Sequence, residues 1–357
     1  MNNKLFSVKS NDGFIVDALI STPDKQPNGI VIYINGSGPN TCNIKRQKPS
    51  GEIWCYHDIF AEELTGRELA YCRYSTRGVR DGDTAPFFVE IDDEKYKTYL
   101  PHNSVNDVLA IVDYLTDFLK DIPIHLLGWS EGTIIAPLVT KKSDKVSGLF
   151  LCGYCNKNLL DTLKWQLNGN GQLIAYRRLF DYDRKGYISK EDFETDRYGV
   201  RKAVFGDFDF KQIDTDKDGK LTAEDFAVFS NPISPRKHLE EMLKAIDNGD
   251  DEWLKNNHTI RLTSGWFKEH ATLKPNKDVL PDLDIPIHIF SGEYDYMTPE
   301  FFTRDIEDTF EKLGKTNLNT HYFKNHDHDL NLVQCVINGV LSEGLRCLFD
   351  TIKNSIT

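Results

Sequence analysis

Gly128-Trp129-Ser130-Glu131-Gly132 sets a serine between two glycines, directly after the apolar run HLL and before the apolar run TIIAPLV. A serine hydroxyl is a weak nucleophile at its ordinary pKa. It does chemistry only where a base takes its proton and donors hold the charge that develops on the substrate. A strand, a tight turn and a helix in succession supply part of that need. The turn lifts the side chain clear of the sheet and puts the free N–H groups of a helix start behind it. Five residues with three fixed are weak evidence alone, and Ser130 as a mere helix cap is the plain alternative. The flanking strand and helix give the motif its weight.

A second group of residues offers oxygen atoms. From Asp214 onward, DTDKDGKLTAED supplies Asp214, Asp216, Asp218, the carbonyl of Lys220, Thr222 and Asp225 at the alternating positions of a hard-cation loop. Gly219 stands where the sharp turn falls and Leu221 where an apolar residue is wanted. Asp225 replaces the usual closing glutamate, and its shorter reach predicts weaker Ca2+ binding with Mg2+ tolerated. A related stretch, DYDRKGYISKED at 181–192, supplies Asp181, Asp183, the carbonyl of Tyr187, Ser189 and Asp192, with Ile188 at the apolar position. Lys185 falls where an oxygen is wanted, so occupancy of this loop is left open. Both loops have flanks of helical pattern. The two units resemble a paired EF-hand, in which Ile188 and Leu221 pair across a short strand. An acidic surface turn is the plain alternative for each.

The elements that must position these groups follow from periodicity. KLFSVKS and FIVDALIST read as a strand pair around Asn-Asp-Gly, and GIVIYINGSGP as a buried strand ending in a glycine-rich turn. DIFAEELTGRELAYCRYSTRG gives a helix and a strand, and SVNDVLAIVDYLTDFL a helix with Ser104 placed to cap it. VSGLFLCGY and IPIHIFSG are further buried strands. PEFFTRDIEDTFEKLG, NTHYF and a segment from Leu330 predict helix, strand and helix. This alternation predicts an α/β fold, a mostly parallel sheet flanked by helices. It stops near Asn156, and the stretch that follows is rich in Asp, Lys and Phe. The expected division is a core over 1–155 and 279–357, with a helical cap insertion over 156–278 that contains the two EF-hand-like units.

At this point the chain resembles the α/β-hydrolase superfamily over about 1–155 and 280–357. The resemblance implies a Ser-acid-His order. The loop SGEYDYMTP resembles family loops that carry the acid, which implies Asp295, with Glu293 two residues before it. NHDHDLNL offers His326 and His328. The family pattern of histidine, small polar residue and apolar residue implies His328 and leaves His326 open. Asn35-Gly36-Ser37-Gly38-Pro39 is similar to the family's oxyanion turn, with Asn35 where histidine is usual. That implies backbone donors from Ser37 and from Glu131, the residue after the nucleophile. YSTRGVRDGD resembles a family strand and turn but departs from it at Arg80 and Asp81, so only a structural role is assigned. The implied activity is serine hydrolysis through an acyl-enzyme, with a carboxylic ester favoured. A peptidase of the same fold, or a calcium-binding interaction protein with an inactive hydrolase domain, are the alternatives.

Composition narrows the partners. The formal net charge of −12 argues against a nucleic-acid backbone and suits cations. No run of apolar residues is long enough to span a membrane, and no leader pattern is visible at the N-terminus. Seven scattered cysteines, including Cys152 and Cys155, suggest buried free thiols and a reducing, cytoplasmic setting. The expected ligands are Ca2+, a small ester or acyl substrate, and no organic cofactor.

Overall fold

The computed structural model describes residues 1–48, 50–229 and 233–356. Its centre is an eight-stranded sheet. In chain order the strands are β1 (Asn2–Lys9), β2 (Ile15–Thr22), β3 (Ile30–Ile34), β4 (Ala70–Tyr74), β5 (Ile124–Trp129), β6 (Val146–Cys152), β7 (Ile287–Gly292) and β8 (Leu318–Phe323). They lie in the order β1-β2-β4-β3-β5-β6-β7-β8. β2 pairs antiparallel with β1 and β4, and the other neighbours are parallel.

Helices cover both faces, so the strands read as continuous apolar runs. Alternate side chains sort between the faces. Ile30, Ile32 and Ile34 join a core with Val108, Val112, Ile135 and Ile306. Val31 and Tyr33 join one with Phe60, Leu64, Leu348 and Phe349. Arg77, from the segment given a structural role, is buried between Asp107 and Asp12 and ties the β1–β2 turn to the helix Pro101–Phe118.

That helix begins before Ser104. Leu100 is its N-cap and Pro101 fills the first turn, so Ser104 lies inside it. Proline is preorganised for the first helical position and lacks an N–H that would go unbonded there, which makes it the stronger start signal. The final helical segment is two helices, Leu332–Asn338 and Glu343–Ile356. Gly339, at φ +68°, ends the first of them.

Between β6 and β7 the chain is helical. Leu159–Trp165, Pro235–Asn248 and Ser264–Thr272 share a core built on Leu163, Met242, Ile246, Trp266 and Phe267, with Tyr99 and Ile134 beneath. The two loop units form a separate core of Phe180, Ile188, Phe193, Phe205, Phe210, Ile213, Leu221 and Phe226. Their loops are joined by a two-residue ribbon in which Ile188 faces Leu221 and Ser189 faces Lys220. Among the described residues no single helix is long and apolar enough to cross a membrane.

Candidate active site and ion-binding loops

Ser130 follows β5 and precedes the helix Gly132–Thr140. Its φ of +53° lies in the left-handed region, costly for a residue with a Cβ, so the surroundings must hold it there. Its N–H donates to the Cys152 carbonyl at 2.9 Å, and its carbonyl accepts Thr133 N at 2.8 Å and Thr133 Oγ1 at 2.7 Å. Gly132 is required by close approach: a Cβ there would lie 2.1 Å from the Ile34 carbonyl oxygen.

Asp295 sits in the turn after β7 and is 1% exposed. Its Oδ1 accepts the N–H groups of Met297 at 2.9 Å and Thr298 at 2.7 Å, and its Oδ2 accepts Thr298 Oγ1 at 2.7 Å. His328 Nδ1 lies 3.0 Å from Oδ1 and 2.9 Å from Oδ2. Gly153 leaves room for the ring, since a Cβ there would come within 2.4 Å of His328 Cε1. Burial alone would lower the pKa of His328, but the Asp295 charge and hydrogen bond, with Asp329 and Asp327 nearby, outweigh it and raise it to about 9.

His326 is held elsewhere. Its Nε2 accepts the Gly344 N–H at 3.1 Å and its Nδ1 lies 2.8 Å from the Lys324 carbonyl. An Nε2 that accepts leaves the proton on Nδ1, so both nitrogens are engaged in bracing this loop. The structure brings His328, and not His326, to Asp295.

Ser130, His328, Gly36 and Ser37 line one cavity of about 360 Å³. The glycine-rich turn is braced by Asn40, whose Nδ2 donates to Gly36 O at 2.9 Å and Gly38 O at 3.2 Å. Asn35 Nδ2 donates to the Tyr74 carbonyl at 3.0 Å, so the asparagine anchors the turn to β4. Leu159, Leu163, Ile260, Leu262 and Met297 form an apolar wall, while Arg46 and Asp329 stand on the lining too. Burial lowers the Arg46 pKa and raises that of the Asp329 carboxyl, the latter opposed by the His328 ring.

The side chain of Glu131 forms a contact that sequence reasoning did not foresee. It is 1% exposed. Its carboxylate meets the Tyr99 hydroxyl at 2.5 Å, Trp266 Nε1 at 3.0 Å and His270 Nε2 at 3.0 Å. Trp266 and His270 belong to the helix Ser264–Thr272, so one carboxylate next to Ser130 pins the helical region to the sheet. The only signal was an acidic residue inside an otherwise apolar turn and helix. Glu131→Ala leaves three buried polar groups without this acceptor, and the expected cost is about 3–5 kcal/mol. A fall in urea midpoint at unchanged m-value measures it.

In the loop at 214–225, carboxylate oxygens of Asp214, Asp216 and Asp218 lie within 4.8 Å of one another. Asp214 is 7% exposed, and its Oδ1 is buried with no hydrogen-bond partner among the described residues. An orphaned buried carboxylate oxygen in such a cluster fits a divalent cation. The Asp218 N–H favours charge on Asp216, but desolvation and the neighbouring carboxylates of Asp218, Asp225 and Asp214 outweigh it and raise the Asp216 pKa. Asp225 stands apart, its two oxygens accepting from Thr215 and Thr222 at 2.8–3.0 Å. Lys220 lies on the ribbon, its ammonium over the Tyr187 ring. At 181–192, Asp183 and Asp192 each lie 3.2 Å from the Lys185 ammonium, and Asp192 also accepts Ser189 Oγ. Asp181 accepts Arg177 Nε.

Comparison with known proteins agrees with this architecture. The sequence matches the EF hand family at residues 178–195 and 209–230. No curated protein sequence matches the chain. The structure is similar to a highly thermostable carboxyl esterase from Bacillus coagulans, with TM-score 0.57, 16% identity and 100% of both chains covered. It is also similar to a lipase in its open form, with TM-score 0.51, 16% identity, 99% of this chain and 98% of the other covered. Est1E from Butyrivibrio proteoclasticus gives TM-score 0.51 and 12% identity, again over 99% and 98% of the two chains. Likeness along the whole length, on a sheet of this strand order, gives the chain the α/β-hydrolase fold, and the two segments that match the EF hand family lie in the helical region between β6 and β7.

Proposed function

We propose that the chain is a serine hydrolase that cleaves a carboxylic ester, with Ser130, His328 and Asp295 as its triad. The observation that carries this reading is the placement of His328, bonded through Nδ1 to Asp295, on the lining of the cavity that Ser130 also lines. Ser130 Oγ attacks the ester carbonyl carbon as His328 Nε2 takes its proton. Asp295 holds the ring and steadies the imidazolium. The N–H groups of Ser37 and Glu131 receive the oxyanion. Collapse expels the alcohol, which takes the proton back from His328. Water then attacks the acyl-serine by the same route and frees the acid.

The cavity volume, near the lower end for small-molecule sites, and its apolar wall support a small ester. The carboxyl esterase and the lipase of similar fold support the same bond type. We divide the chain into a catalytic core, 1–155 and 279–357, and a cap, 156–278. Asp214, Asp216, Asp218 and the Lys220 carbonyl would hold Ca2+, which when bound neutralises the clustered carboxylates. Cysteines that are all free support a reducing, cytoplasmic setting.

The base must be neutral to act. With the His328 pKa raised to about 9, kcat/KM for a p-nitrophenyl ester rises about tenfold per pH unit and levels above that value. A profile flat from pH 6 upward contradicts the raised pKa of His328.

A further inference from the structure

The two loop units deal with their acidic side chains in opposite ways. In 181–192 the carboxylates are satisfied by the chain itself. The Lys185 ammonium lies 3.2 Å from Asp183 Oδ2 and 3.2 Å from Asp192 Oδ2, between the third and last ligand-type positions of the loop. Asp181, the first, takes Arg177 Nε at 2.8 Å and the N–H groups of Lys185 at 2.7 Å and Gly186 at 2.9 Å. In 214–225 no cationic side chain pairs with the aspartates among the described residues, and Asp214 Oδ1 is buried without a partner. One loop is closed around an ammonium group, while the other keeps its clustered carboxylates without a cationic side chain among the described residues.

The closed loop also touches the acid and histidine turns. Arg184 Nη1 lies 2.8 Å from Glu293 Oε1, and Glu293 Oε2 accepts the Asn325 N–H at 3.0 Å. One carboxylate therefore joins Arg184 to the turn of Asp295 and to the chain leading to His328. From the other loop, the exit helix Ala223–Val228 packs on Gly169, where φ is +81° and a Cβ would lie 1.8 Å from the Ala223 carbonyl oxygen. Gln166, in the same turn as Gly169, lines the cavity and donates Nε2 to the Met297 carbonyl at 2.7 Å. The ribbon Ile188–Leu221 links the two loops.

We propose that Lys185 is a built-in cation whose ammonium stands in place of a metal ion in 181–192. The chain then binds one divalent ion, at 214–225. The ion-free loop acts as a standing brace that carries the order of its neighbour to the Asp295 turn through Arg184 and Glu293. This rests on the reading of 214–225 as an ion site and is independent of the reaction catalysed. The electrostatics are direct: an ammonium between two carboxylates satisfies them as a metal would, and a second cation brought to the same position meets its repulsion.

Calorimetric titration of the chelator-stripped full chain with calcium chloride tests the first half. Wild type takes up one ion, Asp214→Asn none and Lys185→Asp two; Lys185→Asn serves if the aspartate variant does not fold. Two ions in wild type, or no gain in either Lys185 variant, overturns the proposal. A wild type that takes none while Lys185→Asp takes one faults the reading of 214–225 and upholds that of Lys185. Amide hydrogen exchange tests the second half. Calcium slows exchange across 293–298 several-fold in wild type, and this slowing is lost in Arg184→Gln although that variant still binds one ion. Equal slowing in Arg184→Gln overturns the brace. Neither readout uses substrate, so failure of the esterase reading leaves both interpretable.

Discussion

Ser130→Ala lowers kcat for ester hydrolysis by about 10⁴- to 10⁶-fold without unfolding the chain. The loss is large because neighbouring hydroxyls are already engaged. Thr133 Oγ1 donates to the Ser130 carbonyl and Thr298 Oγ1 to Asp295. Neither of these hydroxyls is free to replace that of Ser130. The strained backbone adds a second expectation from the same position. Ser130→Gly removes the Cβ that makes φ +53° costly, so that variant is equally inactive yet gains about 1 kcal/mol of stability. Steady-state kinetics and urea melts on the two variants read both effects. Retained turnover in Ser130→Ala would place the chemistry elsewhere.

Asp295→Asn should cost about 10⁴-fold in kcat with the fold retained. The side-chain oxygen of an asparagine still receives the Met297 and Thr298 N–H groups, so its amide nitrogen faces His328 Nδ1. That nitrogen donates, which fixes the ring proton on Nε2 and leaves no lone pair there for the Ser130 proton. The acid limb of the remaining activity also moves. The Asp295 charge is the main influence that raises His328 to about 9 against its burial, so its removal shifts the limb to lower pH. A drop in rate with an unmoved limb would mean that Asp295 only supports the turn.

Much of this arrangement is legible in the sequence, and the reason is local. The strand–turn–helix around Ser130 is written in adjacent residues, and the sorting of Ile30, Ile32 and Ile34 from Val31 and Tyr33 follows from strand periodicity. The alternating aspartates of 214–225 announce oxygen chemistry in the same way. What escapes is whatever depends on residues distant in the chain. Tyr99, Trp266 and His270 converge on Glu131 only once the helical region lies over the sheet. Two histidines separated by one residue are alike in sequence. They diverge because Gly344 N–H claims the ring of His326 and Asp295 that of His328. Ser104 misleads as a cap because Pro101 starts the helix a turn earlier. The Lys185 ammonium reads as an obstacle to a cation, and only its two carboxylate neighbours reveal it as a substitute for one.

Covalent labelling by a fluorophosphonate, followed by peptide mass spectrometry, tests the central claim most directly. The reagent reacts with a serine whose proton is taken by a positioned base and whose oxyanion is held. The account predicts a single adduct on Ser130 in the wild type, none in Ser130→Ala and strongly slowed labelling in Asp295→Asn. A folded wild type that stays unlabelled, or an equal adduct in Ser130→Ala, would contradict it.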